Sequence, residues 1–212
     1  NYSKKKVSNI TRVVLWCNGN PPSEELVNSL INQKSIVYGV DKGADVANSM
    51  GIVIQKVLGD LDSVDISKWN NKSKKIYDQE ISDLGKSIRY LIENKIHEVD
   101  IIGIDGGDPE HILGIWGNLV EVPGNIKIKL HHEHRITERI HPDEGQLEIF
   151  INEAKEFSIF ALTPCKNVHL TGSKWEINGD KMGLSSRGLH NIGLGRKIKI
   201  IADGIIVLIT ER

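Results

Sequence analysis

Two aspartates in the segment KVLGDLDS, Asp60 and Asp62, directly follow the apolar residues of a predicted strand. Other acidic residues fall at comparable places: Asp41 follows IVYGV, Asp83 lies at the start of a predicted helix, and Asp105 precedes a Gly-Gly turn. In an open α/β sheet, ligands bind beyond the carboxyl ends of the strands. The sequence therefore predicts that these carboxylates meet at one edge of a sheet.

Carboxylates that converge in this way repel one another by several kcal/mol at low effective dielectric, unless a divalent cation lies among them. Oxygen ligands without supporting Cys or His favour Mg²⁺, which binds a few carboxylates and completes its shell with water and phosphate. Such a site is typical of phosphoryl-type transfer. The structural alternative is that Asp60 and Asp62 form a turn or cap a helix beginning at DISKW.

The elements that would position these residues alternate along the first ~125 residues. Strands are predicted at TRVVLWCNGN, SIVYGV, VIQKVLG and EVDIIGIDGG, and helices at PPSEELVNSLINQ, KGADVANSMG, ISDLGKSIRYLIEN and PEHILGIWGNLV. Strands that alternate with helices favour a mostly parallel sheet in a Rossmann-like α/β domain.

The second part of the chain has a different pattern. From about Gly145 onward, the β-type runs QLEIFI, FSIFAL, VHLTG, SKWEI, KIKIIA and GIIVLI are separated by Gly, Asn, Asp and Pro. These runs predict an antiparallel all-β unit, a small β-sandwich. We therefore expect an α/β domain over residues 1–132, which carries the catalytic nucleotide and Mg²⁺ site, and a β-sandwich domain over residues 140–212.

The composition gives no electrostatic reason to expect nucleic acid or an anionic membrane as a partner, because 27 Lys and Arg balance 28 Asp and Glu. The only cysteines, Cys17 and Cys165, lie in different halves and form no C-x-x-C pattern. A reduced, cytoplasmic protein without disulfides is the expectation. No apolar run approaches the roughly 18 residues of a membrane span. The sequence does not begin with methionine, so a trimmed leader stays open.

Several motifs, taken together, resemble the thiamin pyrophosphokinase family. GDLDS and DQEISDLGKSI are similar to the family's G-D-[FL]-D-S and Q-x-x-T-D-x-x-K-A, with Ser82 where threonine is usual. VDKGAD is similar to A-D-G-G-A-N, and GIDGGDPEH to G-x-x-G-G-R-x-D-H. In the β half, GSKWEI resembles G-x-K-W-x-L, and SSRGLHN resembles a closing S-N-E region. The resemblance covers about Val13 to Ile209, with the motifs in the family's order.

The resemblance implies an enzyme that moves the terminal pyrophosphoryl group of ATP onto the hydroxyl of thiamin, giving thiamin diphosphate and AMP. It implies that Asp60, Asp62 and Asp83 hold Mg²⁺ against the phosphates, with Asp41 close by as a further catalytic carboxylate. It also implies a homodimer, in which the acceptor binds between the α/β domain of one chain and the β domain of its partner.

The resemblance also implies residues for the two substrates. Those for ATP are Gln79, Lys86, Gly106, Gly107 and His111, and those for thiamin are Trp175, His190 and Asn191. Without the resemblance, Lys86 reads as a solvated helix lysine, the two glycines as a plain turn and Trp175 as a core residue of the sandwich.

This sequence departs from the family pattern around the expected substrates. Asp108 and Glu110 stand where the family has arginine and aspartate, which removes one positive charge near the nucleotide. Ile115 replaces an asparagine usually found four residues after the histidine. His190 and Ile192 flank Asn191 in place of serine and glutamate. The metal-site motif is kept, whereas the motifs for nucleotide and acceptor are altered.

Two alternatives follow from these departures. One is a diphosphokinase for another hydroxymethyl heterocycle, such as 6-hydroxymethylpterin. The other is a non-catalytic homologue that binds nucleotide or thiamin, although retention of all three metal-type aspartates argues against it.

A separate cluster, His131, His132, Glu133 and His134, contains residue types that bind Zn²⁺. Strand geometry would put His132 and His134 on one face, opposite the other two residues. Because the cluster lies between the two predicted domains, we expect an exposed linker strand in preference to a metal site.

Overall fold

The computed structural model describes residues 12–69, 71–78 and 80–212. Its helices are α1 (Glu24–Leu30), α2 (Gly43–Ser49), α3 (Ile66–Trp69), α4 (Asp83–Glu93) and α5 (Pro109–Glu121). The strands of the first part are β1 (Arg12–Trp16), β2 (Val37–Val40), β3 (Lys56–Gly59), β4 (Ser73–Lys75), β5 (Glu98–Ile102), β6 (Lys127–His131) and β7 (Arg135–Ile140). Those of the second part are β8 (Leu147–Ile151), β9 (Glu156–Ala161), β10 (Cys165–Thr171), β11 (Ile177–Met182), β12 (Asn191–Ile192), β13 (Arg196–Ala202) and β14 (Ile206–Glu211).

A ten-stranded sheet runs through most of the molecule, in the order β12-β9-β14-β7-β6-β5-β1-β2-β3-β4. Strands β1 to β6 pair in parallel, and from β7 onward the pairs are antiparallel. The chain adds β2, β3 and β4 on one side of β1 and then returns to add β5 on the other side. The order of strands therefore reverses between β1 and β5, where such sheets bind ligands.

Strand β1 shows how the sheet is covered on both faces. Its successive side chains point to opposite faces: Val13 and Leu15 pack in the core that contains α4, and Val14 and Trp16 in the core that contains α1 and α2. Burial on both faces explains why these strands are continuous apolar runs in the sequence.

The second sheet has four antiparallel strands in the order β11-β10-β13-β8. Its buried residues, such as Val168, Leu170 and Ile198, share one apolar core with Ile159 and Leu208 of the ten-stranded sheet. The core of the C-terminal part therefore lies between the two sheets.

The predicted mixed α/β class is confirmed, and the chain is rich in strands. Strands β4 and β7 are among those that were not predicted, because the sequence SKK is polar and RITERI has only two apolar residues in six. The strand predicted at SKWEI is wrong: this segment forms one isolated bridge at Ser173, and β11 begins only at Ile177. Within the described ranges, no helix is long and apolar enough to cross a bilayer.

Arg139 of β7 joins the antiparallel part of the sheet to helix α5. Its side chain is buried, at 2% exposure. The guanidinium donates to the carbonyl oxygens of Val122 (2.6 Å), Pro123 (2.9 Å) and Ile126 (2.7 Å), and more weakly to that of Leu119 (3.4 Å). The last carbonyls of a helix have no partner within the helix, so Arg139 closes the end of α5 and the loop that follows it.

We predict that Arg139→Met lowers the free energy of unfolding by about 3–5 kcal/mol, because several buried carbonyls lose their donor at once. Urea unfolding measures this loss. The control is Arg89→Met on α4, since Arg89 is largely exposed and its nearest carboxylate oxygen, on Asp78, is 3.6 Å away; it changes stability by about 0.5 kcal/mol or less. Equal effects of the two substitutions would contradict this role of Arg139.

Candidate active site

Three aspartates meet at the carboxyl edge of neighbouring strands. Asp41 follows β2, Asp60 follows β3, and Asp83 is the first residue of α4. Each offers one carboxylate oxygen, and these atoms all lie within 4.8 Å of one another. The three residues, called the acidic group below, are partly buried. Because β2 and β3 pair in parallel, their ends bring Asp41 and Asp60 together.

Asp41 is held by two donors from the loop after β3. Its Oδ1 accepts from the backbone N–H of Leu61 (3.1 Å) and its Oδ2 from the hydroxyl of Ser63 (2.9 Å). Burial raises the pKa of Asp41, and the charges of Asp83 and Asp60 raise it further, against the lowering effect of these hydrogen bonds. The donors therefore orient the carboxylate without fully compensating its charge.

Asp83 is linked to both Asp60 and Lys86. Its Oδ1 accepts from the backbone N–H of Asp60 (3.1 Å) and from the Lys86 ammonium (3.0 Å). Lys86 is 4% exposed, so it is a buried partner of Asp83 and not a solvated helix lysine. Lys86 thus pairs with Asp83 and offsets part of the negative charge of the acidic group.

The backbone around the acidic group is unusual. Asp41 (φ 49°) and Leu61 (φ 63°) lie in the left-handed region, which is rare for residues with a side chain. Gly59 has φ 143°, and a Cβ there would lie 2.9 Å from Oδ1 of Asp41. The segments after β2 and β3 therefore approach each other so closely that a glycine is needed at position 59. Backbone conformations of this kind are strained, and they often occur at functional sites.

This set of donors fits a hard divalent cation. The Oδ2 atoms of Asp60 and Asp83 accept no hydrogen bond from any residue in the described ranges. Oxygen-only ligands from a few carboxylates are what Mg²⁺ uses when it shares its shell with water and phosphate. Lewis-acid assistance and neutralisation of phosphate charge are the chemistry that such a site can supply.

A cleft of about 410 Å³ opens beside the acidic group, at the reversal point between β1 and β5. Its volume falls in the range of small-molecule sites, about 300–1,000 Å³. It is lined by the segment after β1, the Gly-rich turn after β5 and the first turns of α4 and α5, including Asn18, Asp83, Gly106, Gly107 and His111. Asp83 therefore belongs both to the acidic group and to the wall of the cleft.

One of the residues expected around the phosphates is placed differently. Asp62 is exposed and lies outside the acidic group, and its backbone N–H donates to Oδ1 of Asp60 (3.3 Å). Asp41 occupies the third position instead. Gln79 lies outside the described residues.

Trp175, His190 and Asn191 lie apart from the cleft, around a second cavity lined by Trp175 and Asn191. Trp175 is 53% exposed, so the alternative of a core tryptophan is wrong. Asn191 is buried, and its side chain accepts from the N–H of Trp175 (3.2 Å) and donates to its carbonyl oxygen (2.7 Å). It therefore fixes the tryptophan backbone. His190 is exposed beside Glu156 (3.2 Å).

Sequence reasoning missed two polar residues, one in contact with the acidic group and one in contact with the N-cap of α4. Ser63 donates to Asp41, and Asn118 of α5 accepts from Ser82 at the start of α4. Ser63 could have been found, because it closes the GDLDS motif. Asn118 carried no signal, since it lies in an otherwise apolar stretch of helix and contacts a residue 36 positions away.

The expectation of an exposed linker strand at the histidine cluster is wrong. His131 ends β6 inside the ten-stranded sheet and is 6% exposed. Its Nδ1 accepts from Arg212 (3.0 Å), so Nε2 carries the hydrogen and donates to Asp100 (2.5 Å). His132 contacts the carboxylate of Asp105 (2.6 Å). These histidines bind side chains within the fold, which accounts for their presence without a metal.

Asp100 is the centre of this buried network. Burial alone would raise the pKa of Asp100, but hydrogen bonds from His131 and Arg12, together with the charge of Arg12, outweigh it and hold the pKa below its ordinary value. A carboxyl group whose pKa is lowered by folding stabilises the folded state above its unfolded pKa.

Comparison with known proteins gives one consistent result. Residues 27–130 match the family model described as the catalytic domain of thiamin pyrophosphokinase. The thiamine pyrophosphokinase of Bacillus subtilis strain 168 is 26% identical over 195 residues, which cover 84% of this chain and 88% of that protein.

Solved structures share the fold over nearly the whole chain. A crystal structure of thiamine pyrophosphokinase from Bacillus subtilis has a TM-score of 0.78 at 21% identity and covers 94% of this chain and 98% of its own. The yeast thiamin pyrophosphokinase has a TM-score of 0.72 at 13% identity and covers 96% of this chain and 86% of its own. At these identities, the likeness concerns the fold.

We predict that Asp41→Asn weakens Mn²⁺ binding about 10-fold or more, because it removes one charge of the acidic group while asparagine keeps an acceptor for Leu61. Titration of Mn²⁺ by electron paramagnetic resonance measures the affinity. Asp62→Asn is the matched comparison, and Asp143→Asn, far from the group in sequence and exposed, is the control. A larger loss with Asp62→Asn would assign the metal to Asp60, Asp62 and Asp83, as the sequence suggested.

We predict that Asp100→Asn destabilises the protein by about 3 kcal/mol at pH 7, because a buried charged partner is lost. The difference from the parent protein persists above pH 4 and shrinks as the pH falls through the lowered pKa of Asp100. Urea unfolding at several pH values measures this trend. Glu153→Gln, at an exposed residue, is the control. A difference that stays constant down to pH 2 would contradict the linkage.

Proposed function

We propose that the chain is a member of the thiamin pyrophosphokinase family, as the match of residues 27–130 to the family's catalytic domain supports, and that it transfers the pyrophosphoryl group of ATP to the hydroxyl of thiamin, giving thiamin diphosphate and AMP. The observation that carries the proposal is the acidic group, which lies at the edge of a nucleotide-sized cleft at the reversal point of the parallel sheet. A non-catalytic homologue would have no need for three carboxylates that converge and repel one another.

The proposed cofactor is Mg²⁺, held by Asp60 and Asp83 with Asp41 as the third carboxylate, and with Asp62 as the alternative ligand. When bound, Mg²⁺ would neutralise the phosphate charge that develops during the transfer. Lys86 keeps Asp83 oriented through their 3.0 Å contact. Its second contribution is charge, since one buried ammonium reduces the cost of bringing triphosphate next to three carboxylates.

The proposed site for ATP is the cleft, with Gln79, Lys86, Gly106, Gly107 and His111 as its binding residues. The support is strongest at Gly107, where φ is 85° and a Cβ would meet nothing closer than 3.7 Å. The turn therefore leaves open space in the cleft wall, and a phosphate could approach its backbone N–H groups. His111 lies in the first turn of α5 on the same wall.

The departures from the family pattern differ in their effect on this cleft. Glu110 lines it and adds a negative charge on the nucleotide side, whereas Asp108, which precedes α5, is not part of the lining. Any weakening of ATP binding would therefore come from Glu110 more than from Asp108.

The proposed acceptor site is at Trp175, with His190 and Asn191 beside it. An exposed indole attracts a cation such as the thiazolium ring of thiamin. One face of the indole already has the Lys174 ammonium 4.6 Å from the ring centroid. Because this site and the cleft share no lining residue, a homodimer that brings the cleft of one chain to Trp175 of another is part of the proposal.

The proposed organisation is a Rossmann-like α/β domain over residues 1–132 and a β-sandwich domain over 140–212, in a cytoplasmic protein. Parallel strands with helices on both faces support the first, and two sheets around one core support the second. Strand β7 lies between the two ranges and continues the large sheet.

The proposed transfer begins when the hydroxyl oxygen of thiamin attacks the β-phosphorus of ATP. The new P–O bond forms as the bond from the β-phosphorus to the bridging oxygen of the α-phosphate breaks, so AMP leaves and the hydroxyl proton is released. The residues of this chain contribute mainly by positioning and by charge, which supply most of the catalysis in such transfers.

We predict that the protein releases AMP from ATP only when both Mg²⁺ and thiamin are present, with one thiamin diphosphate formed per AMP. Chromatography of both products measures this, with 6-hydroxymethylpterin as a parallel acceptor and EDTA to remove the metal. Asp83→Asn lowers kcat about 100-fold or more, because charge stabilisation in the transition state is lost.

Each other result of this assay has a distinct meaning. AMP formed only with the pterin would move the acceptor and keep the metal-dependent transfer. No AMP with either acceptor, together with a rise in Tm on adding nucleotide, would indicate a binding protein instead of an enzyme.

A further inference from the structure

Helix α5 is fastened to helix α4 by one buried amide. Asn118 is 3% exposed and, with Leu119, is one of the two buried residues of α5 in the described structure. Its Nδ2 donates to the carbonyl oxygen of Gly114 on its own helix (2.7 Å). Its Oδ1 accepts from the hydroxyl of Ser82 (3.0 Å), which precedes the first turn of α4.

The hydroxyl of Ser82 both donates and accepts a hydrogen bond. Its Oγ accepts from the backbone N–H of Gly85 (3.2 Å) and so caps the N-terminus of α4. A hydroxyl has a single hydrogen, and donation of that hydrogen to Asn118 turns the lone pairs of Oγ toward Gly85. Asn118 therefore selects the rotamer in which Ser82 acts as the cap.

Helices α4 and α5 pack so closely at Gly85 that a larger side chain would not fit there. A Cβ on Gly85 would lie 2.5 Å from Oδ1 of Asn118. The residue that follows Ser82 is Asp83, whose Oδ1 receives the N–H of Asp60 and the ammonium of Lys86. A contiguous chain of contacts thus runs from Asn118 through Ser82 to the acidic group.

We propose that Asn118 is a positioning residue for the metal site, acting through Ser82 to hold Asp83 in place. The proposal rests on the proposed function, because it assigns Asn118 to the acidic group as a cation site. Asn118 lies three residues after Ile115, on the same wall of the cleft. It links the helix that lines the nucleotide side to the helix that carries Asp83.

The reason for an amide at this position is the Ser82 hydroxyl. An apolar residue would fill the same space but offer no acceptor, so the hydroxyl could rotate away from Gly85 and release the first turn of α4. Groups that orient a metal ligand typically contribute about 10–100-fold to metal affinity. A residue that acts through a second one belongs at the lower end of this range.

The test measures the affinity for Mn²⁺ by electron paramagnetic resonance, together with Tm. Asn118→Ala and the nearly isosteric Asn118→Leu each raise the Kd for Mn²⁺ about 10-fold. Ser82→Ala does the same, and Ser82→Thr keeps the hydroxyl and restores affinity. The double variant Ser82→Ala/Asn118→Ala binds no more weakly than Ser82→Ala alone, because both changes break one chain of contacts. If Asn118→Ala does not fold, Asn118→Leu serves as the test variant, because leucine keeps the core filled.

Ser23→Ala is the matched control. Ser23 caps α1 by the same hydrogen bond, from the N–H of Leu26 to its Oγ (3.1 Å), and it lines neither the cleft nor the acidic group. Loss of this cap lowers Tm in the same way and leaves the Kd for Mn²⁺ unchanged.

Three results would overturn the proposal: a Kd for both Asn118 variants within two-fold of the parent protein, an equal shift of Kd in Ser23→Ala, or additive losses in the double variant. A parent protein that binds Mn²⁺ but forms no AMP with thiamin would refute the proposed reaction and leave the role of Asn118 standing on its Kd values. A parent protein that binds no Mn²⁺ would refute both.

Discussion

Mutual repulsion among Asp41, Asp60 and Asp83 is the constraint on which the site depends. The fold brings three negative charges within a few ångströms and then supplies donors for them: three backbone N–H groups, the Ser63 hydroxyl and the Lys86 ammonium. The pKa of Asp41 stays raised, first by burial and then by the charges of Asp83 and Asp60, so these donors do not fully offset the cost of its negative charge. The arrangement is therefore most favourable when a cation joins it, and the strained turns at Asp41 and Leu61 are consistent with a site built for binding at some cost in stability.

Sheet topology places this charged edge next to open space. Because the chain crosses from β4 back to β5 beside β1, the loops after β1 and β5 diverge and leave a cleft between them. Helix α4 begins at this edge and helix α5 follows the Gly-rich turn, so both contribute their first turns to the wall. The reversal of strand order thus produces the cleft, and helix α4, which leads from β4 to β5, places Asp83 at both the cleft and the acidic group.

Much of this could be predicted from the sequence, because the parallel strands are apolar runs and most of the helices have clear periodicity. The aspartates were identifiable from their positions at strand ends. The sequence did not show whether Asp41 or Asp62 completes the acidic group, because that depends on how closely the turns after β2 and β3 approach each other. The burial of His131 was hidden for a similar reason: its partners Asp100 and Arg212 lie 31 and 81 residues away in the chain.

The buried guanidinium of Arg139 has a consequence for how the two halves of the chain relate. It reaches from a strand of the antiparallel part into the end of a helix of the parallel part, and the same strand covers the edge of β6. A chain ending near residue 132 would expose an unpaired strand edge and leave several buried carbonyls without donors. We therefore expect the parallel half to need β7 for a stable fold, so that recombination at this junction has to carry β7 along with it.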